Sequence, residues 1–188
     1  AAEKADVIVL SVKPQFYDAV IKEIKELITE TQIIVTIAPG KTLEYLAGAF
    51  EKPVKLVRTM PNTPALVGEG ITGVCRNDLV TKEELDYICN ILSGFGMAQV
   101  LSENLMDVVV SVSGSSPAYV FMLIEAMADG AVADGMPRQQ AYQFAAQAVL
   151  GSAKMVLETG KHPGELKDMV CSPAGTTIEA VRDRKSVV

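Results

Sequence analysis

A short turn between two helical segments near the end of the chain contains three hydroxyl side chains and a glycine. The turn spans residues 172–177 and reads SPAGTT. The helix after it begins with backbone N–H groups that lack an intrahelical partner and carry the positive end of the helix dipole, a combination that binds carboxylates. Ser172, Thr176 and Thr177 add hydroxyl groups. Gly175 has no Cβ to obstruct a ligand. A capped helix start without a ligand would look the same, so the turn alone does not decide.

A second group of candidate residues follows three strand-like runs. The segments are Ser11–Gln15, Ile37–Gly40 and Arg58–Pro64. Ligands of parallel sheets bind outside the carboxyl ends of the strands, where such loops converge. Small residues such as Ala38 and Gly40 let a planar ring approach the backbone, and Asn62 offers a donor and an acceptor to an amide such as nicotinamide. Ordinary turn residues are the simpler interpretation, but three such loops at equivalent strand ends favour a ligand crevice.

Apolar runs alternate with amphipathic helical segments through the first hundred residues. Strands are predicted at Val7–Val12, Ile33–Ile37, Val54–Thr59, Ile71–Cys75 and Met97–Leu101. Helices are predicted from Pro14 to Ile28, from the Thr42 cap to Ala47, and after Thr81. This alternation is typical of a parallel sheet with right-handed crossovers.

Only helical patterns follow residue 101. Helices are predicted at Asn104–Val112, from a serine cap and proline at Gly114–Pro117 to Gly135, from Pro137 to Gly160, from Pro163, and from about Ser172–Thr176. The predicted fold is therefore α/β: a partial Rossmann-like parallel sheet, residues 1–101, followed by an all-α dimerisation domain, residues 102–188.

The helical region carries more apolar surface than a small monomer can bury. The segment 118–133 is apolar almost all round, and the next helix is dense in alanine, glycine and serine. Helices of this kind pack against further protein, most simply a second copy of the chain. A compact monomeric bundle is the alternative.

Composition excludes several classes of function. The 188 residues carry a net charge of −6 and only 5% aromatic residues, and no Lys/Arg block is present, which argues against nucleic acid. The longest uninterrupted apolar run, residues 118–124, is far short of the ~20 residues of a membrane span. Cys75, Cys89 and Cys171 are odd in number and widely spaced, which favours a reducing cytoplasm. The single histidine, His162, is interpreted as structural, and no metal centre is expected.

One expected motif is absent from the sequence. Dinucleotide-binding domains normally contain a strand, a G-x-G-x-x-G turn and a helix, and no such turn occurs here. We therefore expect that the chain begins inside its first domain and lacks the first βαβ unit, and that this polypeptide alone binds a cofactor poorly and is inactive.

Residues 163–180 resemble the signature of pyrroline-5-carboxylate reductase, in which a Ser-Pro-Gly-Gly-x-Thr-type turn holds the substrate. Further matches occur in the order of that family at Val12–Gln15, Arg58–Pro64, Glu69–Gly70, Ser113–Tyr119, Ala128–Gly130 and Gly135–Arg138. The ordered set spans nearly the whole chain. It implies NAD(P)H-dependent reduction of 1-pyrroline-5-carboxylate to L-proline, the last step of proline biosynthesis.

The resemblance also assigns residues. It implies that NADPH or NADH is lined by Val12, Lys13, Pro14, Ala38, Pro39, Met60 and Asn62. It implies that the substrate is bound by Ser172, Gly175, Thr176 and Thr177. Thr177 would be the catalytic residue, with its hydroxyl on the ring nitrogen. The active site would lie at the interface of a homodimer, with the turn contributed by the second subunit.

Departures from the family pattern leave alternatives open. Ala174 and Ser116 stand where the family usually has glycine, and the pattern is interrupted near Asp183, where residues and the C-terminal tail are expected to be missing. A hydroxy-acid or keto-acid reductase of the same architecture would need a catalytic lysine, for which Lys154 is the candidate. A non-catalytic oligomerisation module is the third interpretation. The preference between NADH and NADPH, the proton source and assembly beyond a dimer stay open.

Overall fold

The computed structural model describes residues 2–186. The chain divides into two compact units, residues 1–120 and 121–188. The strands are β1 Val7–Leu10, β2 Ile33–Thr36, β3 Lys55–Met60, β4 Gly70–Arg76 and β5 Gly96–Val100. The helices are α1 Tyr17–Ile24, α2 Leu43–Phe50, α3 Lys82–Leu92, α4 Met106–Val109, α5 Ser116–Ala133, α6 Arg138–Thr159, α7 Pro163–Val170 and α8 Thr176–Ser186. The compact units separate inside α5, and the predicted boundary after residue 101 stays a prediction.

The strands form one sheet in the order β1-β2-β3-β4-β5. β1, β2 and β3 pair in parallel, as predicted, and β5 is parallel to β4. β4 runs antiparallel to β3, which the sequence analysis did not predict. The connection between them, residues 61–69, is too short for a parallel crossover, which takes about a dozen residues or more.

The central strands β2 and β3 bury both faces, as their continuous apolar runs predict, whereas β1 and β5 are partly exposed. Ile34 and Leu56 pack with α1 and α2 on one face. Ile33, Val35 and Val57 pack with α3 on the other. Because side chains alternate along a strand, neighbouring residues serve opposite cores. The sheet is thereby held rigid beneath the loops at its carboxyl edge.

Thr36 has a buried hydroxyl group in this core that makes no hydrogen bond among the described residues. Its side chain is 0% exposed, and Oγ1 has no hydrogen-bond partner among the described residues. Burying a hydroxyl without a partner costs free energy, so we expect Thr36→Val to raise the free energy of unfolding by about 1 kcal/mol in urea denaturation. Thr59→Val is the matched control and should destabilise, because the Thr59 hydroxyl donates to the Thr36 carbonyl at 2.8 Å. A loss of stability in both variants would contradict the assignment.

A π-helical turn, Val110–Gly114, joins α4 to α5 where the sequence predicted a break with a serine cap. The helical stretch Glu103–Ala133 is therefore continuous, and its 31 residues are long and apolar enough to cross a membrane by length and composition. None of its most apolar window is buried in the chain. The short apolar run noted in the sequence did not reveal this, because the apolar character of the helix continues through the turn.

Unit 2 leaves most of its large apolar side chains exposed. Those of α5 and α6 within it include Phe121, Met122, Leu123, Phe144, Leu150 and Leu157. Among the residues of this unit whose burial is described, the buried apolar ones are alanines: Ala128, Ala141 and Ala145. Described on its own, the unit has an apolar surface that a further protein layer would cover.

Candidate active site

The predicted cofactor residues of unit 1 gather at one edge of the sheet. Leu10 aligns with Thr36, and Thr36 aligns with Arg58, so the first three strands end together. The loops after them carry the predicted residues. These are Val12, Lys13 and Pro14 after β1, Ala38 and Pro39 after β2, and Met60 and Asn62 at the end of β3. The structure thus places the predicted residues at the same edge of the sheet, and their role in cofactor binding stays a prediction.

The first loop is held by a tyrosine and a proline. The Tyr17 hydroxyl donates to the Leu10 carbonyl at 2.7 Å, and burial, the largest influence, raises the pKa of this phenol. Pro14 begins a short 3-10 turn, in which the Phe16 N–H donates to the Lys13 carbonyl at 2.9 Å. Lys13 itself is exposed. Its ammonium group is therefore available at the edge for an anionic ligand.

The second loop presents backbone rather than side chains. The Ala38 methyl is buried in the core with Leu10 and Tyr17, so any contact of Ala38 with a ligand would be through its backbone. Gly40 has a φ of +74°, and a Cβ there would meet no heavy atom within 4 Å. Gly40 therefore lies in an open turn whose left-handed backbone favours glycine.

An ion pair that the sequence analysis did not assign lies between the second and third loops. Arg58 is 4% exposed, and its Nη1 lies 3.0 Å from Glu103 Oε1. The same carboxylate oxygen accepts a 2.7 Å hydrogen bond from the Leu43 N–H at the start of α2. Glu103 therefore ties the end of β3 to the loop that enters α2. In the sequence, this ion pair is indicated by Arg58, a charged residue within the otherwise apolar run LVRTM.

Asn62 is already engaged with its own chain. Its Oδ1 accepts from the Ile71 N–H at 2.9 Å, and its Nδ2 donates to the Ser113 carbonyl at 3.1 Å. The donor and acceptor that the sequence offers to nicotinamide are thus each partly occupied. One N–H and one lone pair remain, since a side-chain amide offers two of each.

An apolar cavity of about 620 Å³ opens beside this loop, on the α3 face of the sheet. Its lining includes Val7, Val9, Val35, Ile37, Pro61, Asn62, Leu66, Ile88 and Ile91. With almost entirely apolar walls, it would accept an apolar or aromatic group rather than a phosphate.

The predicted substrate turn lies in unit 2, between α7 and α8. The Gly175 N–H donates to the Ser172 carbonyl at 3.1 Å, which closes the turn. A Cβ on Gly175 would lie 2.5 Å from Ser172 Oγ. Ser172 and Thr176 are exposed and Thr177 is half-buried at the start of α8. These four residues therefore meet at one helix N-terminus, as predicted.

Ala174 has a φ of +56°, so this turn does require the left-handed backbone that glycine adopts without strain. The family usually has glycine at this position. We expect Ala174→Gly to raise the free energy of unfolding by about 0.5 kcal/mol, because relief of strain exceeds the added chain entropy. Ala180→Gly, on the exposed side of α8, should instead lower it by about 1 kcal/mol. Equal losses of stability in the two variants, measured by chemical denaturation, would show that the backbone at Ala174 is not strained.

The other reactive side chains have structural roles or ordinary surroundings. His162 caps α7, with Nδ1 accepting from the Gly164 N–H at 3.0 Å, which confirms its structural interpretation. Lys154 is exposed and pairs with Glu158 at 3.4 Å. Burial raises the pKa of the Cys75 thiol to about 11, so this cysteine is inert near neutral pH. Among the residues described, no group of three or more metal-ligating side chains occurs.

Comparison with known proteins matches both parts of the chain. Residues 103–186 match the family described as pyrroline-5-carboxylate reductase dimerisation, and residues 1–40 match NADP oxidoreductase coenzyme F420-dependent. The pyrroline-5-carboxylate reductase of Escherichia coli (strain K12) is 59% identical over 96% of this chain, which spans 67% of that protein.

Solved structures match equally widely. A pyrroline-5-carboxylate reductase from Coxiella burnetii superposes with a TM-score of 0.90 at 35% identity, over 98% of this chain and 69% of that one. The Plasmodium falciparum pyrroline carboxylate reductase, solved with NADP bound, also gives 0.90, at 31% identity over 98% and 70%. With identities of this size over nearly its whole length, the chain belongs to the pyrroline-5-carboxylate reductase family.

Proposed function

We propose that the protein reduces 1-pyrroline-5-carboxylate to L-proline with NADPH or NADH, the last step of proline biosynthesis. Family membership over nearly the whole chain carries this proposal. The substrate turn supports it, because a helix N-terminus flanked by hydroxyls suits a small ring acid. The chain spans about two thirds of the curated relative, so the activity is assigned to the full-length protein.

The sheet edge of unit 1 fits a nicotinamide cofactor. Lys13 offers an exposed cation, and the open space at Gly40 admits a flat ring close to the backbone. Met60 is half-buried beside these loops. When bound, the reduced cofactor supplies a hydride to the carbon of the substrate C=N bond and is itself oxidised.

The turn of unit 2 orients the substrate. The first N–H groups of α8, with the hydroxyls of Ser172 and Thr176, would hold the carboxylate. Thr177 would hydrogen-bond the ring nitrogen, which carries its proton already if the iminium form binds from solution. Reduction then needs no covalent nucleophile, and the residues act by positioning the two reactants.

A second copy of the chain would complete the site. The exposed apolar helices of unit 2 lie within residues 103–186, the stretch that matches the dimerisation family. A homodimer would bury these side chains, and it also accounts for the apolar helix Glu103–Ala133 without a membrane. We assign the cofactor to the sheet of one copy and the substrate turn to the other.

The direct test follows NADPH absorbance with the full-length protein and pyrroline-5-carboxylate. Turnover that depends on both reactants, with proline as the product, supports the proposal. Turnover with a keto acid instead would favour the related reductase, and binding without turnover would favour an oligomerisation module. Repeating the assay with NADH establishes the cofactor preference.

The variant Lys154→Met distinguishes the two proposed functions, because only the keto-acid reductase would need a catalytic lysine. Lys154 is exposed and pairs only across one helical turn with Glu158 among the described contacts. We expect kcat to stay within about twofold of wild type, because exposed pairs of this kind contribute little. Lys82→Met, which removes a similar surface pair with Asp86, is the control. Loss of turnover in the Lys154 variant alone, with normal folding, would overturn the assignment.

We further propose a cytoplasmic location. Cys75, Cys89 and Cys171 are all free thiols, which suits a reducing compartment. Fractionation of the source cells checks this directly, and recovery of the enzyme in another compartment would contradict it.

A further inference from the structure

The π-helical turn leaves one backbone carbonyl without its usual donor. In an α-helix the carbonyl of Ser113 would accept from the residue four positions later, which is Pro117 and has no N–H. The next N–H, that of Ala118, donates to the Ser115 carbonyl at 3.2 Å. The Ser113 carbonyl therefore depends on a donor from outside the helix.

Asn62 supplies that donor. Its Nδ2 lies 3.1 Å from the Ser113 carbonyl oxygen, across 51 residues of sequence. Its Oδ1 accepts from the Ile71 N–H at 2.9 Å, so the amide is held from both ends. The packing here is close as well, since a Cβ on Gly114 would lie 3.2 Å from Met60 Cε. The loop after β3, the start of β4 and the π-helical turn are thus joined through one side chain.

We infer that Asn62 is a positioning residue, which clamps the Met60–Asn62 loop to the π-helical turn by replacing the donor that Pro117 lacks. The inference rests on the proposed function only in placing that loop beside the cofactor. Its effect on the reaction is indirect. The clamp keeps the loop in the conformation that binds the cofactor. Loss of the clamp lowers the fraction of protein in that conformation.

A direct contact between Asn62 and the carboxamide of nicotinamide is the competing role. The two roles differ in their dependence on Pro117. A clamp is needed because Pro117 lacks an N–H, whereas a ligand contact is indifferent to that residue. They differ also in their dependence on the carboxamide NH2 group, which a direct contact through the remaining Oδ1 lone pair would recognise and a clamp would not.

The first experiment is a double-mutant cycle of Asn62→Ala and Pro117→Ala, followed by urea denaturation. Asn62→Ala alone leaves the Ser113 carbonyl unpaired and should raise the unfolding equilibrium constant about tenfold or more. With Pro117→Ala present, the new N–H can pair with that carbonyl, and the same change should raise it only about twofold. Equal effects in both backgrounds would overturn the inference.

Asn77→Ala is the matched control for this cycle. Asn77 is also a two-ended clamp, accepting from the Leu56 N–H at 3.1 Å and donating to the Val54 carbonyl at 2.8 Å. Its effect should be the same in the wild-type and the Pro117→Ala backgrounds, because the two sites share no partner. If Asn62→Ala does not fold, Asn62→Asp takes its place, since it keeps the acceptor for Ile71 and replaces the donor with a carboxylate oxygen. Its effect should again be smaller in the Pro117→Ala background.

The second experiment compares NADPH with its 3-acetylpyridine analogue, in which a methyl group replaces the carboxamide NH2. A positioning role predicts that Asn62→Ala raises the KM for both cofactors by the same factor, about tenfold, with kcat at saturation nearly unchanged. If the wild type prefers NADPH to the analogue and Asn62→Ala loses that preference, the direct contact is established instead. Wild-type turnover tests the proposed function, and the denaturation cycle requires no turnover, so the two can fail separately.

Discussion

Replacing Thr177 by valine should lower kcat/KM for pyrroline-5-carboxylate by tens-fold or more in the full-length protein. Valine preserves the branched shape of threonine and removes only the hydroxyl assigned to the ring nitrogen. A hydrogen bond aimed at the reacting group typically contributes a factor of ~100 or more to the rate. Thr177 is half-buried at the first turn of α8, so its rotamer is restrained by packing. The assay is NADPH oxidation at varied substrate concentration.

Thr177→Ser provides the matched control. Serine retains the hydroxyl and loses a methyl group, so it should keep most of the activity. Both variants should melt close to the wild type, because the position is not fully buried. Equal activity of the serine and valine variants would show that the hydroxyl does not act on the substrate.

Replacing Arg58 by alanine should lower the free energy of unfolding by about 3 kcal/mol or more. Arg58 is 4% exposed and pairs with Glu103 at 3.0 Å, with Asp107 further off at 3.7 Å. Removing the guanidinium leaves the Glu103 carboxylate, itself only partly exposed, without its cation. The change also leaves a cavity beneath β3 and weakens the bond from Glu103 to the Leu43 N–H. Urea denaturation measures the loss.

Lys82→Ala is the control for this prediction. Lys82 and Asp86 form an exposed pair on α3, at 3.4 Å with side chains 80% and 62% exposed. Such pairs contribute about 0.5 kcal/mol or less, so the variant should unfold near the wild type. If the Arg58 variant proved as stable as the Lys82 variant, the buried pair would have no structural importance. Glu103→Gln should fall between them, because an amide oxygen can still accept both hydrogen bonds.

The exposed apolar faces of unit 2 are the part of the fold least explained by one chain. The sequence predicted this excess of apolar surface from helices that are apolar all round, and the structure confirms it, with Phe121, Leu123 and Phe144 exposed. The dimerisation family covers the same stretch. The pattern of apolar residues in these helices therefore already implies that a second copy of the chain buries their exposed faces.

Consecutive residues alone determined the elements of this protein. The strands β1 to β3 and the helices α1 and α3 follow from the pattern of neighbouring apolar side chains, and the caps at Thr42 and Thr81 follow from local hydrogen bonds. The gathering of the cofactor loops at one edge also follows, because parallel strands end together. The ordered motifs were sufficient to identify the family.

Tertiary structure alone decided how distant polar groups are paired. Arg58 meets Glu103 across 45 residues, and Asn62 meets the Ser113 carbonyl across 51. The reversed direction of β4 likewise depends on which strand it reaches, rather than on its own residues. A hydrogen-bonding group can be satisfied by any suitable partner, so its sequence states only the need for one. Which partner is used depends on the positions that the whole fold gives to both.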